Sequence, residues 1–193
     1  MMSNLYLGLV HYPVYNKFGD IVTTSITNLD VHDIARSCRT FGIKKYFIIN
    51  PLQTQEEMMR RILKFWESDI ASSYNPDRVD ALSVIEFVKD IDAAITEVKS
   101  QEGNCVVITT TAAKLQNQIN FEKCSKIDKP VLLLFGTGNG LAKSVHEMAD
   151  NVLEPIEGVG NYNHLSVRSA VAIILHKLAS EKYRRNNGCN SRS

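Results

Sequence analysis

The chain has 193 residues, within the size of one domain and long enough to bury a substantial core. Its 44% hydrophobic and 22% charged content is that of an ordinary globular protein, and a formal net charge of +1 argues against nucleic-acid binding by bulk electrostatics alone. Cys38, Cys105, Cys124 and Cys189 are scattered without a C-x-x-C pair or a histidine at ligand spacing, which supports neither a zinc nor a redox motif.

The N-terminus lacks a basic segment followed by a long apolar run, and the apolar runs elsewhere are strand-sized. The reading is therefore a reduced, cytoplasmic protein with no metal and no membrane association. Leu5 to Val10 reads as a buried first strand ending at His11-Tyr12-Pro13, followed by a polar loop over 14–27 with room for a short hairpin. Asn28 or Asp30 caps a helix that stops at Gly42, with Leu29, Ile34, Ala35, Cys38 and Phe41 on one face. Lys45 to Asn50 forms the next strand, and Gln53 to Ser68 an amphipathic helix with Met58, Ile62, Phe65 and Trp66 apolar.

Ser72 to Arg78 reads as a loop, Val84 to Val88 as a short strand, and Ile91 to Lys99 as a helix. Cys105 to Thr109 is a strand, Ala112 to Gln118 a short helix, and Val131 to Phe135 the most hydrophobic strand. Val152-Leu153 adds a further strand, and Leu165 to Tyr183 a long closing helix. Strands separated by helices imply an α/β fold, a parallel sheet covered on both faces, here a single domain over 1–185 with a disordered tail over 186–193. The C-terminal stretch carrying Lys177, Lys182, Arg184, Arg185 and Arg192 is locally basic, which reads either as a local patch for nucleic acid or as a solvated charged helix end.

The densest local signal is Phe135-Gly136-Thr137-Gly138-Asn139-Gly140-Leu141, an apolar strand running into three alternating glycines. Such a turn bares backbone amides and lets a ligand approach, and a side chain at Gly138 would occupy ligand space. It fits neither nucleotide fingerprint. Leu141 stands where G-x-G-x-x-G needs glycine, and Thr137 and Ala142 stand where a P-loop needs its glycines. By motif alone a tight turn without ligand and a ligand site weigh equally. Asp30, Asp33 and Arg36, spaced at three, form a second constellation along one helix, which is either a solvated charged face or a site turned towards the glycines.

Together these blocks resemble the SPOUT class of RNA methyltransferases. Within it the chain resembles the small standalone family of S-adenosylmethionine-dependent RNA methyltransferases that is sometimes fused to tRNA guanine-N1 methyltransferase. The resemblance rests on Leu9 to Val14, Thr27 to Asp30, His32 to Arg36, Leu134 to Gly138 and Tyr162 to Ala170. It implies a C-terminal trefoil knot and a homodimer with its sites near the subunit interface. It also implies S-adenosylmethionine held by three loops: Thr109, Thr110 and Thr111; Gly136, Thr137, Gly138, Gly140 and Leu141; and Ile156, Gly158, Asn163 and Leu165. In the ribose-methylating branch an asparagine stands where Asp30 is, the glycine loop carries a glutamate absent here, and the third motif reads Ser-Leu-Asn where this chain has His164-Leu165-Ser166.

The expectation is methyl transfer to RNA (tRNA or rRNA), at a ribose 2′-hydroxyl. Arg36 would bind phosphate and orient the nucleotide, since an arginine stays charged and makes a poor base. Asp30 or His164 would accept the proton, with Ser166 completing the catalytic set. The alternatives are an RNA-binding module of the same fold without transfer activity and an RNA base methyltransferase. The long closing helix, with Ala170, Ile173, Ile174 and Leu178, is the expected dimerisation element.

Overall fold

The computed structural model describes residues 4–160 and 162–188; Asn161 and the residues beyond 188, Cys189 among them, lie outside it. In chain order the strands are β1 (Leu5–Val10), β2 (Val14–Tyr15), β3 (Ile21–Val22), β4 (Tyr46–Ile49), β5 (Ile85–Val88), β6 (Val106–Thr109), β7 (Val131–Gly136) and β8 (Asn151–Val152). The helices are α1 (Asn28–Phe41), α2 (Gln53–Trp66), α3 (Asp69–Tyr74), α4 (Pro76–Leu82), α5 (Ile91–Glu102), α6 (Phe121–Ser125), α7 (Lys143–Met148) and α8 (Val167–Gly188). Six strands form one sheet in the order β5-β4-β1-β7-β6-β8, every pair parallel, and β2–β3 is a separate antiparallel hairpin.

The sheet is apolar on both faces because successive side chains of a strand point opposite ways and both sides are covered. Leu7 and Leu9 of β1, Tyr46 and Ile48 of β4, and Leu133 and Phe135 of β7 pack with Ile34 and Cys38 of α1 and Val171 and Leu175 of α8. Tyr6 and Val10, Phe47 and Ile49, and Leu132 and Leu134 face the other way, against Ala94 and Val98 of α5 and Val145 of α7. Gly8 of β1 leaves space for that second layer: an added Cβ would stand 2.6 Å from Leu134 Cδ2 and 3.0 Å from Ile49 Cδ1. Gly8→Val should therefore overpack the centre and destabilise the fold by about 1–3 kcal/mol, read as a lower midpoint in urea. An unchanged midpoint would show that the layer opens freely.

Helix ends follow local chemistry. Thr27 caps α1, its hydroxyl oxygen accepting from the Asp30 amide, and Gly42 closes the helix at φ 71. The expected loop over Ser72 to Arg78 is instead α3 and α4. Ser68 and Asn75 each cap a helix with a side-chain oxygen, and Pro76 occupies the first turn, where its missing N–H costs nothing. The expected helix over Ala112 to Gln118 is absent. Ala113 and Leu115 donate to the side-chain oxygens of Thr111 and Gln118, and Asn117 is left-handed at φ 63, so a side-chain-bonded turn replaces helical bonds. In α2 the buried residue is Met59, whereas Phe65 is 60% exposed. Ile174 and Leu178 of α8 are buried in the core of the single chain, which accounts for their apolar character without a partner. Cys105 and Cys124 are buried as well, and burial pushes their thiols up to about 11 and about 12.

Candidate active site

The order of connection switches sides between the parallel neighbours β1 and β7 at the middle of the sheet: β4 and β5 lie outward of β1 on one side, and β6 and β8 outward of β7 on the other. In open α/β sheets the crevice outside the carboxyl ends of such strands is where ligands bind. Val10-His11 leaves β1 there and Gly136-Thr137 leaves β7. A hydroxyl relay joins the two exits. The Thr137 hydroxyl donates to the Val10 carbonyl at 3.0 Å, the Thr24 hydroxyl meets Thr137 Oγ1, and His11 Nδ1 lies 3.0 Å from Thr24 Oγ1.

A carbonyl only accepts, so Thr137 spends its proton on Val10, Thr24 donates to Thr137, and His11 Nδ1 carries the proton that Thr24 receives. Nε2 is then the bare acceptor of a fully buried ring, and it has no hydrogen-bond partner among the described residues. Burial lowers the His11 pKa from its ordinary 6.5 to about 4, against the opposing pull of nearby Asp30. The unfolded chain takes up a proton below 6.5 that the folded chain refuses until about 4. Stability is therefore full above pH 6.5 and falls as pH drops towards 4, by about 3 kcal/mol from this group alone. Burial lowers His32 and His146 in the same direction. Thermal melts between pH 7.5 and 4.5 check the fall, and an imidazole NMR titration of His11 near 6.5 would contradict it.

The glycine loop is zipped onto the hairpin. Asn139 N donates to Tyr15 O at 2.8 Å, Tyr15 N to Gly140 O at 2.9 Å, and Ala142 N to Pro13 O at 3.1 Å. Gly136 is required by close approach, since an added Cβ would lie 2.7 Å from the Leu141 nitrogen. Gly138 has φ +56, and its added Cβ would meet the Tyr15 carbonyl oxygen at 2.7 Å. The hairpin backbone, rather than ligand space, closes that position. Leu141 is buried beneath the loop.

The other two expected loops meet each other. Ala112 and Lys114 after β6, with Pro155, Ile156, Glu157, Gly158, Gly160 and Asn163 after β8, line a cleft of about 200 Å³. Asn163 Nδ2 spans it, donating to Ile156 O at 3.0 Å and Ala112 O at 3.4 Å. Lys114 and Glu157 pair across its rim at 2.6 Å. The threonines act mainly within the chain: Thr109 Oγ1 meets His146 Nδ1 at 2.9 Å, Thr110 Oγ1 donates to Leu134 O at 3.0 Å, and Thr111 Oγ1 accepts from Ala113 N. The glycine loop does not line this cleft.

On the α1 side Asp30 is 6% exposed, and both its oxygens are engaged. Oδ2 accepts from the Thr27 hydroxyl at 2.6 Å and Oδ1 from Arg168 Nη1 at 2.9 Å. Arg168 Nε also lies 3.5 Å from Asp33 Oδ2. The constellation at spacing three thus divides: Asp30 and Asp33 converge on Arg168, while Arg36 is exposed and makes no hydrogen bond or ion pair among the described residues. His164 is exposed, its ring edge-on to Tyr162 at 5.3 Å, and Leu165 is exposed beside it. Ser166 Oγ accepts from the Ser169 amide at the start of α8. Arg168 was the residue that spacing could not find, because its partner lies 138 positions away.

Comparison with known proteins decides what this arrangement belongs to. Residues 4–180 match the family described as SAM-dependent RNA methyltransferase. The chain belongs to that family. It is 41% identical over 180 residues to the tRNA (guanine-N(1)-)-methyltransferase of Oleidesulfovibrio alaskensis, an alignment covering 92% of this chain and 42% of that protein. It therefore spans less than half the length of that relative. An uncharacterized protein of Aquifex aeolicus is 36% identical over 183 residues, covering 92% of this chain and 89% of the relative.

Among solved structures, the Aquifex aeolicus TrmH/SpoU tRNA modifying enzyme superposes with TM-score 0.60 at 18% identity, covering 98% of this chain and 80% of that one. The SpoU methyltransferase AviRb from Streptomyces viridochromogenes, in complex with AdoMet, superposes with TM-score 0.55 at 15% identity, covering 93% and 57%. At that identity these two show the fold.

The residues of this family member fit the methyl donor that the family's description names. The cleft combines apolar walls from Ala112, Pro155 and Ile156 with the polar Asn163. An added Cβ at Gly158 would stand 3.1 Å from Tyr162 O and 3.6 Å from Asn163 Oδ1, so this wall depends on bare backbone. Its volume is below the roughly 300–1,000 Å³ that encloses a whole drug-sized ligand. No cluster of His, Cys, Asp and Glu suited to a metal occurs among the described residues, and no helix there is long and apolar enough to cross a membrane.

Proposed function

We propose that this protein transfers methyl from S-adenosylmethionine to a ribose 2′-hydroxyl of RNA, with tRNA or rRNA as substrate. The observation that carries the reading is the division at α1. A buried aspartate is tied through Arg168 to the first turn of α8, just after His164, while Arg36 on the same helix as the aspartate is exposed and unpaired among the described residues. When bound, the cofactor supplies an electrophilic methyl on a sulfonium, so no further activation of the donor is needed.

The chain must hold the acceptor and remove its proton. Arg36 binds an RNA phosphate through paired N–H donors and orients the nucleotide. With both Asp30 oxygens occupied, His164 is the residue that would take the proton of the 2′-hydroxyl when the oxygen is methylated. Ile156, Gly158, Asn163 and Leu165 hold the donor with Thr109 to Thr111, the glycine loop Gly136 to Leu141 closes the other side, and the C-terminal segment is knotted through these loops. The chain works as a homodimer, with exposed Leu29, Tyr162 and Leu165 near the site as contact residues.

tRNA is favoured by the name of the Oleidesulfovibrio relative. Guanine-N1 is not carried over, because more than half of the Oleidesulfovibrio relative has no counterpart in this chain. The test is transfer of labelled methyl to RNA from cells lacking the protein, followed by nucleoside mass spectrometry. A 2′-O-methylnucleoside supports the reading, a methylated base moves the acceptor, and no transfer to any RNA leaves an RNA-binding module. Light scattering that finds only monomer at micromolar concentration would remove the dimer.

A further inference from the structure

Between α1 and the start of α8, just after His164-Leu165-Ser166, lies a contact that neither segment's sequence explains. Asp30 is nearly sealed from solvent, and a buried carboxylate is costly without a cation and a full set of donors. Thr27 supplies one donor and is itself oriented by the Asp30 amide at 3.1 Å, a reciprocal cap that fixes the carboxylate on the first turn of α1. Arg168 supplies the cation. Its Nη1 reaches Asp30 and its Nε faces Asp33 one turn further on, so one planar guanidinium spans two carboxylates of the same helix. Arg168 follows Ser166, whose hydroxyl oxygen caps the first turn of α8 through Ser169.

The first turn of α8, and with it the stretch from His164 that leads into it, is thereby pinned to α1 by an ion-pair bridge beyond the apolar packing of Val171 and Leu175 on Ile34 and Cys38. Where the ribose-methylating branch has a neutral asparagine, this chain has a charge that requires a partner. We propose that Arg168 is a positioning residue. Paired with Asp30 and Asp33, it sets the loop carrying His164 at a fixed distance from the helix carrying Arg36, and so aligns proton acceptor and phosphate holder. The proposal rests on the methyl-transfer reading for its consequence in rate, but the coupling of loop to helix stands on the ion pair alone.

Two readouts separate these. Hydrogen exchange needs no RNA: Arg168→Leu should raise exchange of the 156–166 amides, and Arg168→Lys, a point charge that cannot bridge both carboxylates, should raise it less. The double variant Asp30→Asn with Arg168→Leu removes both partners of the ion pair and should recover the melting temperature that each single change lowers. In methyl-transfer assays, Arg168→Leu and the double variant should both lose kcat on the order of 10- to 100-fold with little change in KM for S-adenosylmethionine. Arg168→Lys should fall between them and wild type.

Unchanged exchange at 156–166 in Arg168→Leu would overturn the proposal. Recovery of kcat together with melting temperature in the double variant would overturn it too, leaving the pair as a stabilising contact only. If wild type methylates no RNA, the methyl-transfer reading fails, and the exchange experiment still decides whether Arg168 holds the loop.

Discussion

Replacing Arg36 by alanine should lower methyl transfer on the order of 100-fold or more while fold and cofactor affinity stay as they were. The side chain is exposed and unpaired among the described residues, so its removal deletes no internal contact. An exposed substitution of this kind changes stability by only about 0.5 kcal/mol. Any large loss of rate must then come from a contact made with substrate. Arg36→Lys keeps the charge but loses the planar fork, and should recover part of the loss, mostly through KM for RNA. The assay requires RNA from cells without the protein, because substrate already modified would mask an active enzyme. Equal rates for alanine variant and wild type would mark Arg36 as a solvated helix residue.

Gly136→Val should abolish measurable cofactor binding, a loss on the order of 100-fold or more in affinity, on a protein that still folds with a lowered melting temperature. The added Cβ would overlap the Leu141 nitrogen at 2.7 Å and approach the Gly140 carbonyl carbon at 3.0 Å. Both are backbone atoms, so the clash is relieved only by moving the whole loop off the hairpin. That movement also strains the Thr137 link to Val10 at 3.0 Å. Titration calorimetry measures the affinity and circular dichroism the fold. Unchanged affinity would detach the glycine loop from the cofactor site, whereas complete unfolding would assign Gly136 to the core.

Much of this architecture is written locally. The alternation that sends Leu7 and Leu9 to one layer and Tyr6 and Val10 to the other follows from the strand period, and the Thr27 and Gly42 ends of α1 from capping chemistry. Weak periodicity hid α3 and α4, although Asn75-Pro76 is itself a start signal. Good intrinsic helix formers misled at Ala112 to Gln118, where side-chain bonds to the backbone prevail. The site was legible as loops but not as an arrangement. Nothing near Asp30 in sequence announces Arg168, and nothing at Gly138 announces the Tyr15 carbonyl. Such pairings are set by which elements the sheet order brings together.

That sheet order also governs how the chain reaches its native state. β1 has β4 on one side, available early, but its other neighbour is β7, with Leu5 registered to Val131. During synthesis the most apolar edge of the half-built sheet stays unpaired until residues near 136 have emerged. Pairings of such long sequence separation slow folding, and open apolar edges recruit foreign strands. Refolding should accordingly be slow and concentration-sensitive, and fragments ending before β7 should aggregate rather than fold.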